Sequence, residues 1–264
     1  MQRTIVALID DLAFQQRLEA AAQALGMRVV YADSERPAVD FLVQHQPALV
    51  VVDLQGQRVD WRAWVLAAKT SPATRRVPIL AFGPHVDIAT WEEARRLGCD
   101  ALISNGVFMR DPVAAIQQHA RPDQSAELAE ECQKPLPALA REAIAQFNRG
   151  EYWEQHETFE HVWRDTHSPV RQLYQGILQV GVAYYQIQRR NYIGARKMFQ
   201  RAWQYLSVLP DVCQGVDVAQ LRADAQAAFA ELERLGPERI GEFDPALLKP
   251  VRLINNEDNE HDDD

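Results

Sequence analysis

One segment, residues 147–163, concentrates side chains that could do chemistry. At about 100° per residue, four of them fall within about 60° of one another on a helix and form one apolar stripe: Tyr152, His156, Phe159 and Trp163. A histidine in such a stripe needs hydrogen-bond partners once it is buried. The pattern predicts a buried polar cluster in this half of the chain, with five members: His156, Glu157, Glu160, Gln175 and Gln179.

Two functions fit this predicted cluster. In the first, His156 and Glu160 bind a metal ion, Gln175 or Gln179 completes the site, and Glu157 is the base of a metal-assisted hydrolase. In the second, Glu160 orients His156 and the two glutamines bridge helices, which is a purely structural hydrogen-bond network. The zinc-protease helix motif does not fit, because its second histidine stands four residues after the first. The residues leave both functions open.

Three carboxylates in the first half form a second group with chemical potential. Asp10 and Asp11 stand at the end of the first predicted strand, and Asp53 stands near the end of the third. The carboxyl ends of parallel strands meet at one edge of a sheet, where doubly wound folds gather their chemistry. Clustered carboxylates suit a hard cation such as Mg²⁺. The sequence therefore predicts a magnesium site at Asp10, Asp11 and Asp53.

The elements that must position these acids are short apolar strands alternating with helices. Strands are predicted at 4–10, 27–32, 49–54, 78–83 and 101–104. Helices are predicted at 14–25, 35–45, 60–70, 88–97 and 107–119. This alternation is typical of βα units around a parallel sheet. Five such units in about 120 residues predict a flavodoxin-like α/β fold.

With these acids in place, residues 1–121 resemble the receiver domain of bacterial response regulators. The resemblance implies that Asp10 and Asp11 bind Mg²⁺ and that Asp53 is the phosphoacceptor, with the Gln55 carbonyl as a further ligand. Phosphorelay signalling with a partner kinase or a downstream effector is the function it implies.

Two positions depart from the receiver pattern. Receivers have a Ser or Thr at the end of the fourth strand, where this sequence has Gly83. They have a Lys-Pro pair at the end of the fifth strand, where this sequence has Asn105 and Gly106. The lysine neutralises the phosphoryl charge and the hydroxyl responds to its arrival, and phosphoryl transfer depends on positioning and charge stabilisation. The departures favour a degenerate receiver over a working phospho-switch.

The second half is predicted to be an all-α bundle. Helical stretches are expected near 138–148, 151–165, 169–189, 191–208 and 217–235, and no strand pattern follows residue 121. Short connections imply antiparallel neighbours. The predicted boundaries are a linker at 122–135, a helical domain at 136–236 and a tail at 237–264. The last ten residues carry six acids and are expected to be disordered.

Three segments of this half resemble an uncharacterised all-helical family, domain of unknown function 309. They are Phe147…Gly150-x-Tyr152…His156-Glu157-x-x-Glu160-x-x-Trp163, Gln175-Gly176-Ile177-Leu178-Gln179, and Asn191-x-x-Gly194-Ala195-Arg196. The resemblance covers about residues 136–210 and implies a helical module without implying an activity.

Composition and charge bear on which partners and which cell compartment are expected for this protein. The net charge is −9, and residues 122–264 account for all of it, so no basic face is expected for nucleic acid. No apolar run is long enough to span a bilayer. The N-terminus lacks a secretion signal. Cys99, Cys132 and Cys213 are odd in number and far apart, which predicts free thiols in a reducing, cytoplasmic compartment.

Together these patterns favour a cytoplasmic signalling protein without enzymatic activity. In this hypothesis a degenerate receiver is tied to a helical module that contacts a protein partner. The alternatives are a metal-dependent hydrolase in the helical half, and a helical module that serves only as an interaction scaffold and could form a homodimer.

Overall fold

A computed structural model describes residues 2–254, and the chain divides into two compact units between Pro122 and Asp123. The first unit has five strands: β1 (Thr4–Leu8), β2 (Arg28–Tyr31), β3 (Leu49–Asp53), β4 (Ile79–Gly83) and β5 (Ala101–Ser104). Its helices are α1 (Leu12–Ala24), α2 (Ala38–His45), α3 (Trp61–Thr70), α4 (Ile88–Leu97), α5 (Asn105–Arg110) and α6 (Pro112–His119). All neighbouring strands are parallel, in the order β2-β1-β3-β4-β5. The predicted flavodoxin-like fold is confirmed.

Helices cover both faces of this sheet because its central strands are apolar on both sides. Every residue of β1, β3 and β4 is buried. On one face Val50 belongs to the core that contains Phe41 of α2 and Trp64 of α3. On the other face Val51 belongs to the core that contains Leu18 of α1. Burial on both faces explains why these strands read as continuous Val, Ile and Leu runs.

The last helix predicted for the first unit is two helices in the structure. Residues 107–119 were expected to be continuous, but α5 ends at Arg110 and α6 begins at Pro112. Asp111 separates them, and its side chain accepts a hydrogen bond from the backbone N–H of Ala114 at 2.9 Å. Proline has no N–H to donate, so it ends one helix and begins the next.

The second unit is mainly helical. Its helices are α7 (Ser125–Cys132), α8 (Ala138–Asn148), α9 (Tyr152–Asp165), α10 (Arg171–Gln188), α11 (Tyr192–Leu206) and α12 (Val218–Leu235). Helix α10 is central and largely buried, and it packs against α9 and α11. Among residues 2–254, no helix is both long and apolar enough to cross a membrane.

A short hairpin corrects the expectation that no strand follows residue 121. Strands β6 (Val212–Cys213) and β7 (Val216–Asp217) pair antiparallel. The two residues between them, Gln214 and Gly215, have φ of 51° and 76°. Positive φ at both central residues is the geometry of a tight two-residue hairpin turn. Strands of two residues are too short to show an alternating pattern in a sequence.

The segment predicted to be a linker, 122–135, is part of the helical unit. Helix α7 buries Leu128 and Cys132 in the core of that unit. Cys132 also forms a disulfide with Cys213 of β6. The prediction of free thiols is therefore wrong for these two residues, because the hairpin brings together cysteines that are 81 residues apart in the sequence. Cys99 is free and buried, and its burial raises the pKa of the thiol to about 12.

The first part of the predicted tail also packs. Ile240, Phe243 and Val251 are buried in the core of the helical unit. The side-chain amide of Asn148 fixes the chain at Val251 by donating to its carbonyl at 2.9 Å and accepting from its N–H at 2.8 Å. The acidic end that was expected to be disordered, residues 255–264, lies outside the described residues.

Candidate functional site

The three predicted acids of the first unit lie at the carboxyl edge of its sheet. Asp53 ends β3 and is 5% exposed, and its carboxylate accepts a hydrogen bond from the N–H of Gln55 at 2.9 Å. Asp10 follows β1 and accepts from the N–H groups of Gln57 at 2.6 Å and Arg58 at 2.9 Å. Asp10 thereby fastens the loop that follows β3.

Asp11 caps a helix instead of fastening a loop. Its carboxylate is the N-cap of α1 and accepts from the N–H groups of Ala13 at 2.8 Å and Phe14 at 3.3 Å. A carboxylate at this position satisfies helix N–H groups that would otherwise lack a partner, and it complements the helix dipole. One oxygen of Asp11 is therefore already engaged by the fold.

Electrostatics at this edge raise the pKa of Asp53. Burial is the main cause, and the charges of Asp10 and Asp11 raise the pKa further by smaller amounts. The hydrogen bond from the Gln55 N–H lowers the pKa and partly offsets the effect of burial.

The positions of the carboxylate oxygens bear on the predicted magnesium site. Across residues 2–254, no group of three or more His, Cys, Asp or Glu side chains is arranged to hold a metal ion. Asp10 and Asp11 each have one oxygen engaged by backbone N–H groups, and the other oxygen of each accepts no hydrogen bond from residues 2–254. Because Mg²⁺ takes one or two carboxylates and completes its shell with water, magnesium binding stays a prediction.

The end of β4, where receivers carry a hydroxyl, is filled by another side chain. A Cβ atom built on Gly83 would lie 3.2 Å from both the Cβ and the Cδ1 of Leu54. Leu54 is 6% exposed and belongs to the sheet core. Few real Cβ contacts are so short, so a Ser or Thr here would require Leu54 to shift by a few tenths of an ångström. The sequence showed the missing hydroxyl but not the leucine that packs against Gly83.

The end of β5, where receivers carry a lysine, is occupied by a neutral amide. Asn105 begins α5, and its Nδ2 donates to the side-chain oxygen of Gln55 at 3.3 Å. In the part of the chain that the structure describes, the Asn105 Oδ1 atom is buried without a hydrogen-bond partner. No lysine or arginine in residues 2–254 forms an ion pair with Asp53. The phosphoacceptor candidate therefore lacks both groups that stabilise a phosphoryl charge in the receiver pattern.

The predicted polar cluster of the second unit is only partly buried, which corrects that prediction. Gln175 is buried, Gln179 and His156 are half-buried, and Glu157 is exposed. The His156 side chain is 29% exposed, and its Nε2 lies 3.8 Å from a carboxylate oxygen of Glu160. His156, Glu157 and Glu160 lie outside the buried face of α9, because the residues buried on this helix are Tyr152, Gln155, Phe159 and Val162.

Gln155 is the polar residue that the sequence reasoning missed. It is completely buried, and its Nε2 donates to the carbonyl of Tyr152 at 3.0 Å and reaches that of Leu178 at 3.5 Å. Gly181 on α10 permits this approach, since a Cβ there would lie 2.8 Å from the Gln155 Cδ. The signal available in the sequence was Gly181 within an apolar helix, but the sequence does not show which residue of the neighbouring helix packs against it.

The metal-hydrolase hypothesis for this unit has no site in the described residues. No group of three potential metal ligands occurs in residues 2–254, and Glu157, the proposed base, points away from the core. His156 Nδ1 and Gln179 Oε1 are buried without hydrogen-bond partners in that part of the chain. The aromatic side chain of Trp153 stacks on His156, with ring centroids 5.8 Å apart. The metal-hydrolase hypothesis stays a prediction.

The fold defines two units, a five-stranded parallel α/β unit and a helical unit. A family model matches the second unit. Residues 140–198 match the family model of a domain of unknown function, DUF309, which confirms the predicted resemblance for α8, α9, α10 and part of α11. Among curated proteins, none matches the chain.

Solved structures similar to the first unit are response regulators and receiver domains. A putative response regulator from Chloroflexus aurantiacus is 19% identical, covers 45% of this chain with 97% of its own, and has a TM-score of 0.40. A chemotaxis response regulator of Vibrio cholerae is 15% identical, with 45% and 98% covered and a TM-score of 0.39. The receiver domain of a Pseudomonas aeruginosa sensor histidine kinase, solved with magnesium in its active-site cleft, is 19% identical, with 45% and 97% covered and a TM-score of 0.39.

Proposed function

We propose that this chain is a signalling protein whose first unit is a pseudo-receiver. In this proposal the receiver-like unit does not switch by phosphorylation of Asp53, and the helical unit contacts a protein partner downstream. The chemistry of a phospho-switch needs a positioned cation to balance the incoming charge and a hydroxyl to respond to it. In this chain both groups are missing, because Asn105 and Gly83 stand at their positions.

The observation that carries the proposal is the neutral group at the end of β5, where receivers carry a cation. Asn105 holds that position, and its Nδ2 donates to the side-chain oxygen of Gln55 at 3.3 Å. At the end of β4, Gly83 offers no hydroxyl, and a Cβ there would require Leu54 to give way by a few tenths of an ångström.

The direct test is phosphoryl loading of the full chain. The protein is incubated with acetyl phosphate and magnesium, or with beryllofluoride and magnesium, and its intact mass is measured. We expect no stoichiometric adduct for the wild type. An adduct on the wild type that disappears in Asp53→Asn would overturn the proposal, because it would identify a working phosphoacceptor.

A variant that restores both missing groups tests the proposal from the opposite direction, because it should gain phosphoryl uptake. Asn105→Lys supplies the missing cation, and Gly83→Thr combined with Leu54→Ala supplies the hydroxyl and the space for it. We expect the triple variant to take up more phosphoryl group than the wild type, and Asp53→Asn in that background to abolish the uptake. This variant must first show the circular dichroism spectrum of the folded protein.

A further inference from the structure

A separate cavity lies beside the acidic edge of the first unit. Its volume is about 300 Å³, and it is enclosed by the ends of β1 and β2 and by the loop after β3. Asp10 is the only one of the three acids that lines it, while Asp53 does not. The inference drawn from this cavity does not rest on the pseudo-receiver proposal, since it concerns different side chains.

The cavity lies at the carboxyl ends of β1 and β2, beside the loop that follows β3. Open α/β sheets bind their ligands outside the carboxyl ends of their strands. The volume is at the lower end of the range for small-molecule sites. A compact ligand is therefore indicated.

Most polar groups around the cavity already have partners. The Tyr31 hydroxyl donates to Glu19 at 2.9 Å. Asp33 forms an ion pair with Arg36 at 2.8 Å. The Asp10 carboxylate accepts two backbone N–H groups of the loop after β3. These groups shape the wall, but a ligand does not need to satisfy them.

Two lining groups remain uncommitted. The guanidinium of Arg58 has no ion pair or hydrogen bond with any residue between 2 and 254, and neither does the hydroxyl of Ser34 in that range. A guanidinium fork matches a carboxylate in two parallel hydrogen bonds. Both residues are exposed and line the cavity, Arg58 from the loop after β3 and Ser34 from the loop after β2.

The other lining residues define the rest of the ligand. The inner wall is apolar, with Leu8, Ile9, Ala32 and Val59. An apolar wall with few convergent polar groups is typical of a small-molecule site. Asp10 and Asp33 place negative charge beside the cavity, which disfavours a ligand with two or more negative charges.

We propose that this cavity binds a small organic monoanion, a carboxylate on an apolar or aromatic body. Its carboxylate lies against Arg58 and Ser34, and its body lies against Leu8, Ala32 and Val59. Because the loop after β3 forms part of the wall and is fastened by Asp10, ligand binding changes the surroundings of the acidic edge.

The test uses four probes of one size that differ in charge: phenylacetate, phenylalanine, phenethylamine and phenyl phosphate. Each is titrated into the full-length protein while the amide resonances of Ala32 and Val59 are followed by NMR, with calorimetry for the dissociation constant. We expect saturable shifts with phenylacetate and weaker binding of the other three. The absence of a saturable shift at these amides for every probe at millimolar concentration would overturn the proposal, as would tighter binding of a zwitterion, cation or dianion.

Three variants test which side chains contribute to the affinity for phenylacetate. Arg58→Gln is expected to weaken phenylacetate binding by about tenfold or more, as the loss of a charge-assisted pair should. Arg95→Gln, an exposed arginine on α4 that does not line the cavity, is the matched control and should bind like the wild type. Ser34→Trp at the exposed rim should block the cavity without disturbing the core. Unchanged affinity in both Arg58→Gln and Ser34→Trp would refute the assignment.

Discussion

Asp53 shows how one residue can keep its type while its surroundings change its chemistry. In the receiver pattern the corresponding acid is balanced by a cation and a hydroxyl. Here its closest described partners are the Gln55 N–H and two further acids. Burial and like charge both oppose ionisation, so the residue destabilises the folded state whenever it is charged.

This electrostatic cost predicts the effect of Asp53→Asn. The folded-state pKa of Asp53 lies above its unfolded value, so the folded protein holds the proton more tightly. The free energy of unfolding should therefore fall as the pH rises from the ordinary carboxyl range through the raised pKa. Asparagine keeps the shape and the acceptor for Gln55 but carries no charge, so the variant should be more stable than the wild type at pH 7.

Urea unfolding of both proteins at pH 7 and pH 5 measures this difference, which should shrink at the lower pH. Asp40→Asn is the control, since Asp40 is exposed on α2. A variant that is less stable than the wild type at pH 7 would show that an unseen interaction favours the charged form.

At the scale of elements, the second unit depends on glycines that let helices approach closely. A Cβ on Gly181 would lie 2.8 Å from the Cδ of Gln155 and 3.1 Å from the Cδ2 of Phe147. Similarly, a Cβ on Gly176 would lie 2.8 Å from the Cγ of Leu206 on α11. Helix α10 thus packs against α9 on one side and α11 on the other without room for a methyl group.

Gly181→Ala should destabilise the helical unit by about 1–3 kcal/mol, because overpacking outweighs the gain of about 1 kcal/mol in helix propensity. Chemical denaturation monitored by circular dichroism measures the change. Gly106→Ala on α5 is the matched control, because a Cβ there would meet nothing within 4 Å. That variant should be neutral or slightly more stable, and a destabilisation equal to that of Gly181→Ala would contradict the packing explanation.

The sequence predicted elements better than it predicted contacts between elements. The strand runs and helix caps are local signals, and they located the sheet and helices. The centre of the buried face of α9 was misplaced by about one residue, since Gln155 enters the core beside Gly181 and leaves His156 at the edge. Such a shift depends on the neighbouring helix, which a local pattern does not contain. The site at Leu54 and Gly83 is likewise a contact between two strands.

At the scale of the whole chain, the described residues form two units with separate cores. The disulfide between Cys132 and Cys213 belongs entirely to the second unit. No spacing rule could have revealed it, because three cysteines allow several pairings and one odd thiol remains. The disulfide ties α7 to the hairpin strand β6. The sequence analysis had predicted this segment to be a linker.

Replacing both Cys132 and Cys213 with serine should lower the stability of the helical unit by about 2–4 kcal/mol, since the bridge closes a loop of 81 residues. Denaturation followed by a probe in each unit tests this. The transition of the receiver-like unit is the internal control and should not move. Addition of a reductant to the wild type should reproduce the effect, and unchanged stability in both experiments would mean that α7 is held by packing alone.

The contact between Leu54 and Gly83 also bears on how a hydroxyl could be introduced at the end of β4. A Cβ at residue 83 would press on Leu54 at 3.2 Å, and a smaller residue at 54 alone would leave a void in the sheet core. The two positions are therefore coupled, and the effect of a change at one depends on the residue at the other.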